Sequence, residues 1–203
     1  MALSTAFPVL YLARHGETEW SKAGRHTGRA DLELTEHGQE QARRLGVRLG
    51  GRSFAQVFSS PLRRARHTCE LAGHGPGASI DEDLLEWDYG AYEGRRNSEI
   101  RAERPDWDLF RDGCPGGETP DEVAARADRV VERVRAVAGD VLVFSSAHLL
   151  RVLAVRWLRR PVDVARHLLL APASLSALGY EHDLSEPAIV SWNETSHLVT
   201  ATS

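Results

Sequence analysis

Three short apolar runs in this sequence stop abruptly at residues that hold or attack anions. Val9-Leu10-Tyr11-Leu12 meets Arg14-His15-Gly16-Glu17-Thr18, Phe54 to Phe58 meets Ser59-Ser60-Pro61-Leu62-Arg63-Arg64, and Val141-Leu142-Val143-Phe144 meets Ser145-Ser146-Ala147-His148. Arginine presents a planar fork of donors that matches phosphate oxygens, a geometry lysine lacks. Arg14 and Arg64 are therefore candidate phosphate ligands. Imidazole can attack phosphorus and carry the phosphoryl group covalently, which makes His15 the candidate nucleophile. Nearby positive charge lowers its pKa and keeps a nitrogen lone pair free near neutral pH. Gly16 is expected to let the backbone approach the anion. No P-loop and no metal-ligand spacing competes for the role.

Taken singly, these residues have plainer readings. Arg64 lies in Arg63-Arg64-Ala65-Arg66, the composition of a solvated helix face, and Glu86 reads as a surface carboxylate. Tyr89 and Tyr92 read first as packing residues. What joins them is the order of the elements. Thr35 to Leu49 places Ala42, Leu45 and Leu49 at helical spacing before Gly50-Gly51. Pro61 suits the first turn of a helix reaching about Leu71. Thr119-Pro120-Asp121-Glu122 is a capping box with proline at the first helical position, followed by an apolar stripe to Val137. A further helix is expected over Leu149 to Leu158, with closing strands at Leu175 to Tyr180 and Ala188 to Trp192. Helices between buried strands predict an α/β fold, a three-layer α/β/α sandwich on a mostly parallel sheet. In such a sheet, ligands bind outside the carboxyl ends of the strands, so the three junctions share one rim.

The chain has 203 residues, which fits a single domain spanning 1–203. The segment at about 81–117, rich in Trp and Tyr among charges, breaks the alternation. It is expected as an insertion folding over one sheet edge and covering the site. The net charge of −4 excludes a cationic nucleic-acid binder, leaving room only for a local basic pocket. Two cysteines, Cys69 and Cys114, in unlike contexts make no disulfide framework and fit a reducing, cytoplasmic setting. The N-terminus lacks a basic region before its apolar stretch, and no apolar run reaches ~18 residues, so neither a leader nor a membrane span is expected.

Leu12-Ala13-Arg14-His15-Gly16-Glu17-Thr18 resembles the signature loop of the histidine phosphatase superfamily, which includes cofactor-dependent phosphoglycerate mutases. The resemblance continues in order through Gly24-Arg25-His26-Thr27-Gly28, Leu34-Thr35-Glu36-His37-Gly38, Ser59 to Thr68, Glu86 with Gly90-Ala91-Tyr92-Glu93-Gly94, Gly116-Gly117-Glu118-Thr119 and Asn193 to Leu198. It implies a phosphoglycerate mutase-like fold, phosphoryl transfer through His15, and phosphate binding by Arg14 and Arg64. It also implies that Glu86 protonates the leaving alcohol, which a carboxyl near that oxygen can do. Thr27 and Gly28 match a substrate-contacting loop, with Tyr89 a further substrate residue. A small phosphorylated substrate is expected, with no metal and no cofactor.

Two departures stand out. Ser21 follows Trp20 where the mutases usually have asparagine, so that phosphate contact becomes a hydroxyl. Ser146 occupies the place of the family's second pocket histidine. Either Ser146 holds the phosphate, or His148 reaches in from two residues on. Glu19-Trp20-Ser21-Lys22, the run from Glu86 to Gly94, and Trp107 to Gly113 followed by Cys114 resemble sugar-bisphosphate phosphatases and small bacterial acid phosphatases more than true mutases. The expected activity is hydrolysis of a small phosphomonoester. The alternatives are a phosphoglycerate mutase and, motivated by Ser146, a non-catalytic phosphate-binding module.

Overall fold

The structure, a computed structural model, describes residues 7–199. Residues 1–6, on which the reading of the N-terminus partly rests, lie outside that range. Six strands form one sheet in the order β3-β2-β4-β1-β5-β6. They are β1 (Leu10–Arg14), β2 (Gln56–Ser59), β3 (Ser79–Ile80), β4 (Val141–Ser145), β5 (Leu175–Tyr180) and β6 (Pro187–Glu194). β3, β2, β4 and β1 run parallel, and β5 and β6 continue the sheet antiparallel. Arg14 stands beside Ser145, and Ser59 beside Phe144. The carboxyl ends of β2, β4 and β1 are thus adjacent on one rim.

The helices are α1 (Glu19–Lys22), α2 (Glu36–Leu49), α3 (Arg63–Leu71), α4 (Asn97–Glu103), α5 (Leu109–Asp112), α6 (Pro120–Arg135) and α7 (Ala147–Trp157). Alternate strand residues supply both faces of the sheet. Leu10, Leu12, Val141 and Val143 pack with α6 and α7, while Ala13, Leu142 and Phe144 pack with Leu45, Leu49 and Cys69 of α2 and α3. Burial on both sides is why β1 and β4 read as continuous apolar runs. Each fully buried Leu, Val or Phe contributes ~1.5–3 kcal/mol.

The Thr35 side chain caps α2 by accepting from the Gly38 amide, and the Thr119–Glu122 box caps α6. Pro61 departs from expectation. Leu62 keeps an extended backbone as the cap, so α3 begins at Arg63 with Pro61 outside it. α7 begins at Ala147, two residues before the expected Leu149, and β6 extends beyond both expected ends. Gly16 answers a packing demand. A Cβ there would stand 2.3 Å from the Gly38 carbonyl oxygen, so glycine lets the loop after β1 press against α2.

Residues 81–117 pack against α6 and α7. They contain α4, α5 and 3₁₀ turns at Glu82–Leu84 and Gly90–Tyr92. Trp87, Tyr89, Tyr92, Trp107 and Phe110 join the same buried cluster as Leu149 and Val152 of α7 and Val123 and Val130 of α6. Burying these rings supplies the apolar area that holds a segment poor in regular structure. No helix among the described residues is long and apolar enough to cross a membrane.

Candidate active site

His15 leaves the end of β1 buried, at 3% exposure. Its backbone amide donates to the Ser145 carbonyl at 3.0 Å, and its carbonyl accepts from the Ala173 amide at 3.0 Å. Nδ1 lies 2.7 Å from the Gly16 carbonyl oxygen. A carbonyl only accepts, so Nδ1 carries the proton and Nε2 keeps its lone pair. Burial, then Arg64 and Arg14, hold the imidazole well below its ordinary pKa of 6.5, so it is neutral at neutral pH.

Arg14 ends β1 with one terminal nitrogen donating to the Leu170 carbonyl. Its Nε is buried with no hydrogen-bond partner among the described residues. Burial pushes this guanidinium down to about 10, which still leaves it charged at neutral pH. A buried cation with an unused donor suits an oxyanion.

Arg64, the second arginine expected at the phosphate, meets protein groups. It is fully buried in the first turn of α3, and its fork is largely occupied. Nε donates to Ser146 Oγ at 3.3 Å, Nη1 to the Ala30 carbonyl at 2.8 Å, and Nη2 to the Thr27 and Gly28 carbonyls at 3.0 and 2.9 Å. Arg64 therefore clamps the 27–30 loop, and its charge acts on His15. Ser146, which accepts from Arg64, is fully buried.

Glu86 is 3% exposed and sits at the N-terminus of α7. Oε1 accepts from the Trp87 and Leu149 amides at 2.9 and 2.8 Å, and Oε2 accepts from the His148 amide at 3.0 Å. These bonds satisfy amides that every helix start leaves open, which explains the early start of α7. The backbone around Glu86 is pinned by Arg126, which donates to the carbonyls of Asp83 and Leu85 at 2.8 and 2.9 Å while pairing with Glu118.

The Tyr89 hydroxyl lies 2.5 Å from Nδ1 of His148. Burial, then Arg151, His26 and Arg14, hold His148 well below 6.5. Burial, then Glu86, hold Tyr89 well above 10. Both are therefore neutral and share one hydrogen across this contact; with the hydroxyl donating to Nδ1, the proton of His148 would sit on Nε2.

One cavity of about 510 Å³ is lined by Arg14, His15, Ser21, Thr27, Glu86, Tyr89 and His148. Of the sequence-derived candidates, Arg64, Ser146 and Gly28 do not line it. The Gly28 amide is taken by the Glu93 carboxylate at 2.9 Å, and a Cβ there would meet the Trp87 carbonyl oxygen at 2.6 Å, so this glycine serves packing. The Ser21 hydroxyl lines the cavity but donates to the Thr18 carbonyl at 3.0 Å within the cap of α1.

The cavity also contains residues that the sequence reading did not single out as site residues: Arg25, His26, Asn97, Arg151 and Asn193. Arg151 carried a signal, because it follows His148 by three on one helix and so shares its face. His26 lay in a motif already quoted. It bonds Asn97 through Nε2 at 2.9 Å and packs 4.6 Å from Tyr89 between ring centres. Asn97 offered no signal.

Residues 10–195 match the family described as the histidine phosphatase superfamily (branch 1). The chain is 38% identical over 188 residues to an acid phosphatase of Mycobacterium tuberculosis, covering 89% of this chain and 91% of that protein. It is 36% identical over 183 residues to the sedoheptulose 1,7-bisphosphatase of Saccharomyces cerevisiae, covering 74% of this chain and 67% of that protein. The solved structure of the Mycobacterium tuberculosis open reading frame Rv3214 superimposes with a TM-score of 0.88 at 37% identity, covering 93% of this chain and 98% of the other.

Proposed function

The chain belongs to the histidine phosphatase superfamily, and from that premise we propose that it is a phosphatase that hydrolyses small phosphomonoesters through a phosphohistidine at His15. The observation that carries this reading is the meeting of a neutral His15, the partly unsatisfied Arg14 and the Glu86 carboxyl in one cavity. In the first step the Nε2 lone pair attacks phosphorus and the P–O bond to the alcohol breaks. Glu86 gives the leaving oxygen a proton from Oε2, since Oε1 already accepts two amides. In the second step water attacks phosphorus, Glu86 takes the water's proton, the P–N bond breaks and phosphate leaves. Arg14 binds the phosphoryl oxygens directly, while Arg64 adds charge and keeps the imidazole unprotonated.

A polar leaving group such as a sugar suits the remaining lining of His26, Asn97, Arg25 and Thr27. The mutase reading is less favoured, because the relatives described above are named phosphatases. A binding module would need neither an imidazole nucleophile nor a carboxyl acid in the cavity. We read residues 1–203 as one domain whose 81–117 segment covers the site by supplying Glu86, Tyr89 and Asn97 to it. A cytoplasmic setting is supported by the unpaired, buried Cys69 and Cys114.

A panel of sugar phosphates and p-nitrophenyl phosphate, assayed with and without EDTA, tests the reading. Turnover is expected to be unaffected by EDTA, because arginine rather than a metal neutralises the phosphate. Activity that vanishes with EDTA and returns with magnesium contradicts it.

For the missing second histidine, this reading assigns the phosphate-facing donor to His148 rather than Ser146. His148 lines the cavity and, with the Tyr89 hydroxyl donating to Nδ1, presents an Nε2–H, whereas Ser146 does not line it. His148→Ala is expected to lower kcat about 10²-fold, the scale of one lost oxyanion donor, and Ser146→Ala only a few-fold. The reverse order of losses rejects the assignment.

A further inference from the structure

One wall of the cavity includes Leu169, Leu170 and Ala171, which belong to an irregular segment, residues 169–174. That segment makes three bonds to the residues that would do the chemistry. The Leu170 carbonyl accepts from the Arg14 guanidinium, the Ser174 carbonyl from the Arg14 amide at 3.2 Å, and the Ala173 amide donates to the His15 carbonyl at 3.0 Å. Ala173 holds a left-handed backbone, φ 53°. A residue with a Cβ adopts that conformation only where its surroundings impose it.

The imposing groups come from one short stretch near the end of the described chain. Trp192 Nε1 donates to the Leu169 carbonyl at 2.8 Å. Asn193 Oδ1 accepts from the Ala171 amide at 2.7 Å. His197 Nε2 donates to the Ala173 carbonyl at 3.0 Å. Three side chains thus grip alternate residues 169, 171 and 173. The gripping stretch is itself anchored. The Asn193 amide donates to Ser176 Oγ at 3.0 Å, Asn193 is left-handed at φ 56°, and Arg44 of α2 donates to the Leu198 carbonyl at 3.3 Å.

We propose that Trp192, Asn193 and His197 are positioning residues, which act on phosphoryl transfer by holding the 169–174 wall so that it aims Arg14 and His15. None of the three is required to touch the phosphoryl group. Trp192 and His197 do not line the cavity, and Asn193 lines it while its carboxamide oxygen is held by Ala171. Releasing the wall loosens two bonds to Arg14 and one to His15 together. Misplacement of a reacting group by about 1 Å costs on the order of 10²-fold in rate.

This inference rests on the phosphatase reading for its kinetic half and is independent of it for its structural half. The test compares His197→Leu, which removes the donor, with His197→Gln, whose terminal amide restores an N–H near the Nε2 position. Asn193→Gly keeps the left-handed backbone but drops the acceptor, and Trp192→Phe keeps the bulk but drops the donor. His197→Leu is expected to lower kcat on p-nitrophenyl phosphate about 10- to 100-fold, and His197→Gln to recover most of it. Amide exchange at Ala171 and Ala173 is expected to quicken in the tether variants, while amides in β4 keep wild-type rates. Should His197→Leu fail to fold, Asn193→Gly and Trp192→Phe give the same readouts. Unchanged exchange at 171 and 173, or equal loss in the Leu and Gln variants, overturns the tether. A wild-type protein that exchanges as described but turns over no phosphomonoester overturns the phosphatase reading and leaves exchange to decide the tether.

Discussion

His15→Ala is expected to lose turnover by roughly 10⁴-fold or more, the order seen when a covalent nucleophile is removed, and to keep its fold. The reason lies in how His15 is held. Its backbone is bonded on both sides by the Ser145 carbonyl and the Ala173 amide, so the main chain does not depend on the imidazole. The ring makes one hydrogen bond, from Nδ1 to the adjacent Gly16 carbonyl. Deleting it removes the lone pair and little else. Circular dichroism and thermal melting report whether the fold survives. Turnover within ten-fold of wild type on the best substrate would exclude His15 as the attacking group.

Glu86→Gln is expected to slow esters of poor leaving groups, such as sugar alkoxides, by ~10²–10⁴-fold, the usual range of a general acid. Hydrolysis of p-nitrophenyl phosphate should fall much less, because its leaving phenolate needs little protonation. The contrast matters more than either loss. Glutamine also changes the start of α7, since its NH₂ group would face an amide donor of His148 or Leu149 where a carboxylate oxygen now accepts. That mismatch costs about 1–3 kcal/mol of stability and affects both substrates alike. Equal losses on the two substrate types would assign Glu86 to holding α7 and not to proton transfer.

The layered fold was legible because its strands are buried on both faces. Leu10 to Ala13 and Val141 to Phe144 need apolar residues at every position, so they stand out in the chain. Once those strands are parallel neighbours, Arg14-His15 and Ser145-Ser146 must meet, and they do. What could not be read was the direction in which each side chain spends its hydrogen bonds. Arg64 looked like a phosphate fork because of its type and place, yet the carbonyls that occupy it come from residues 27–30, brought there by a loop of no regular period. The Gly28 amide and the Ser21 hydroxyl likewise meet Glu93 and Thr18, partners that residue type and place do not announce.

The 81–117 segment was opaque for a different reason. Its order comes from long-range burial of Trp87, Tyr89 and Trp107 and from the Arg126 clamp, not from local periodicity. Glu86 became a site residue only because that segment carries it to the first turn of α7. The grip of Trp192, Asn193 and His197 on residues 169–173 is likewise invisible in sequence, since it depends on side-chain bonds to main-chain groups.

The proposed reaction places a covalent intermediate on one nitrogen of one residue. With Nδ1 donating to the Gly16 carbonyl, only Nε2 of His15 has a lone pair to offer. Rapid mixing with a turned-over phosphomonoester, quenched in base and examined by phosphorus NMR and peptide mass spectrometry, measures this directly. The account predicts an acid-labile, base-stable phosphoramidate on Nε2 of His15, absent from His15→Ala. Phosphate found on another side chain, or full turnover with no phosphoenzyme on the timescale of a single cycle, would contradict it.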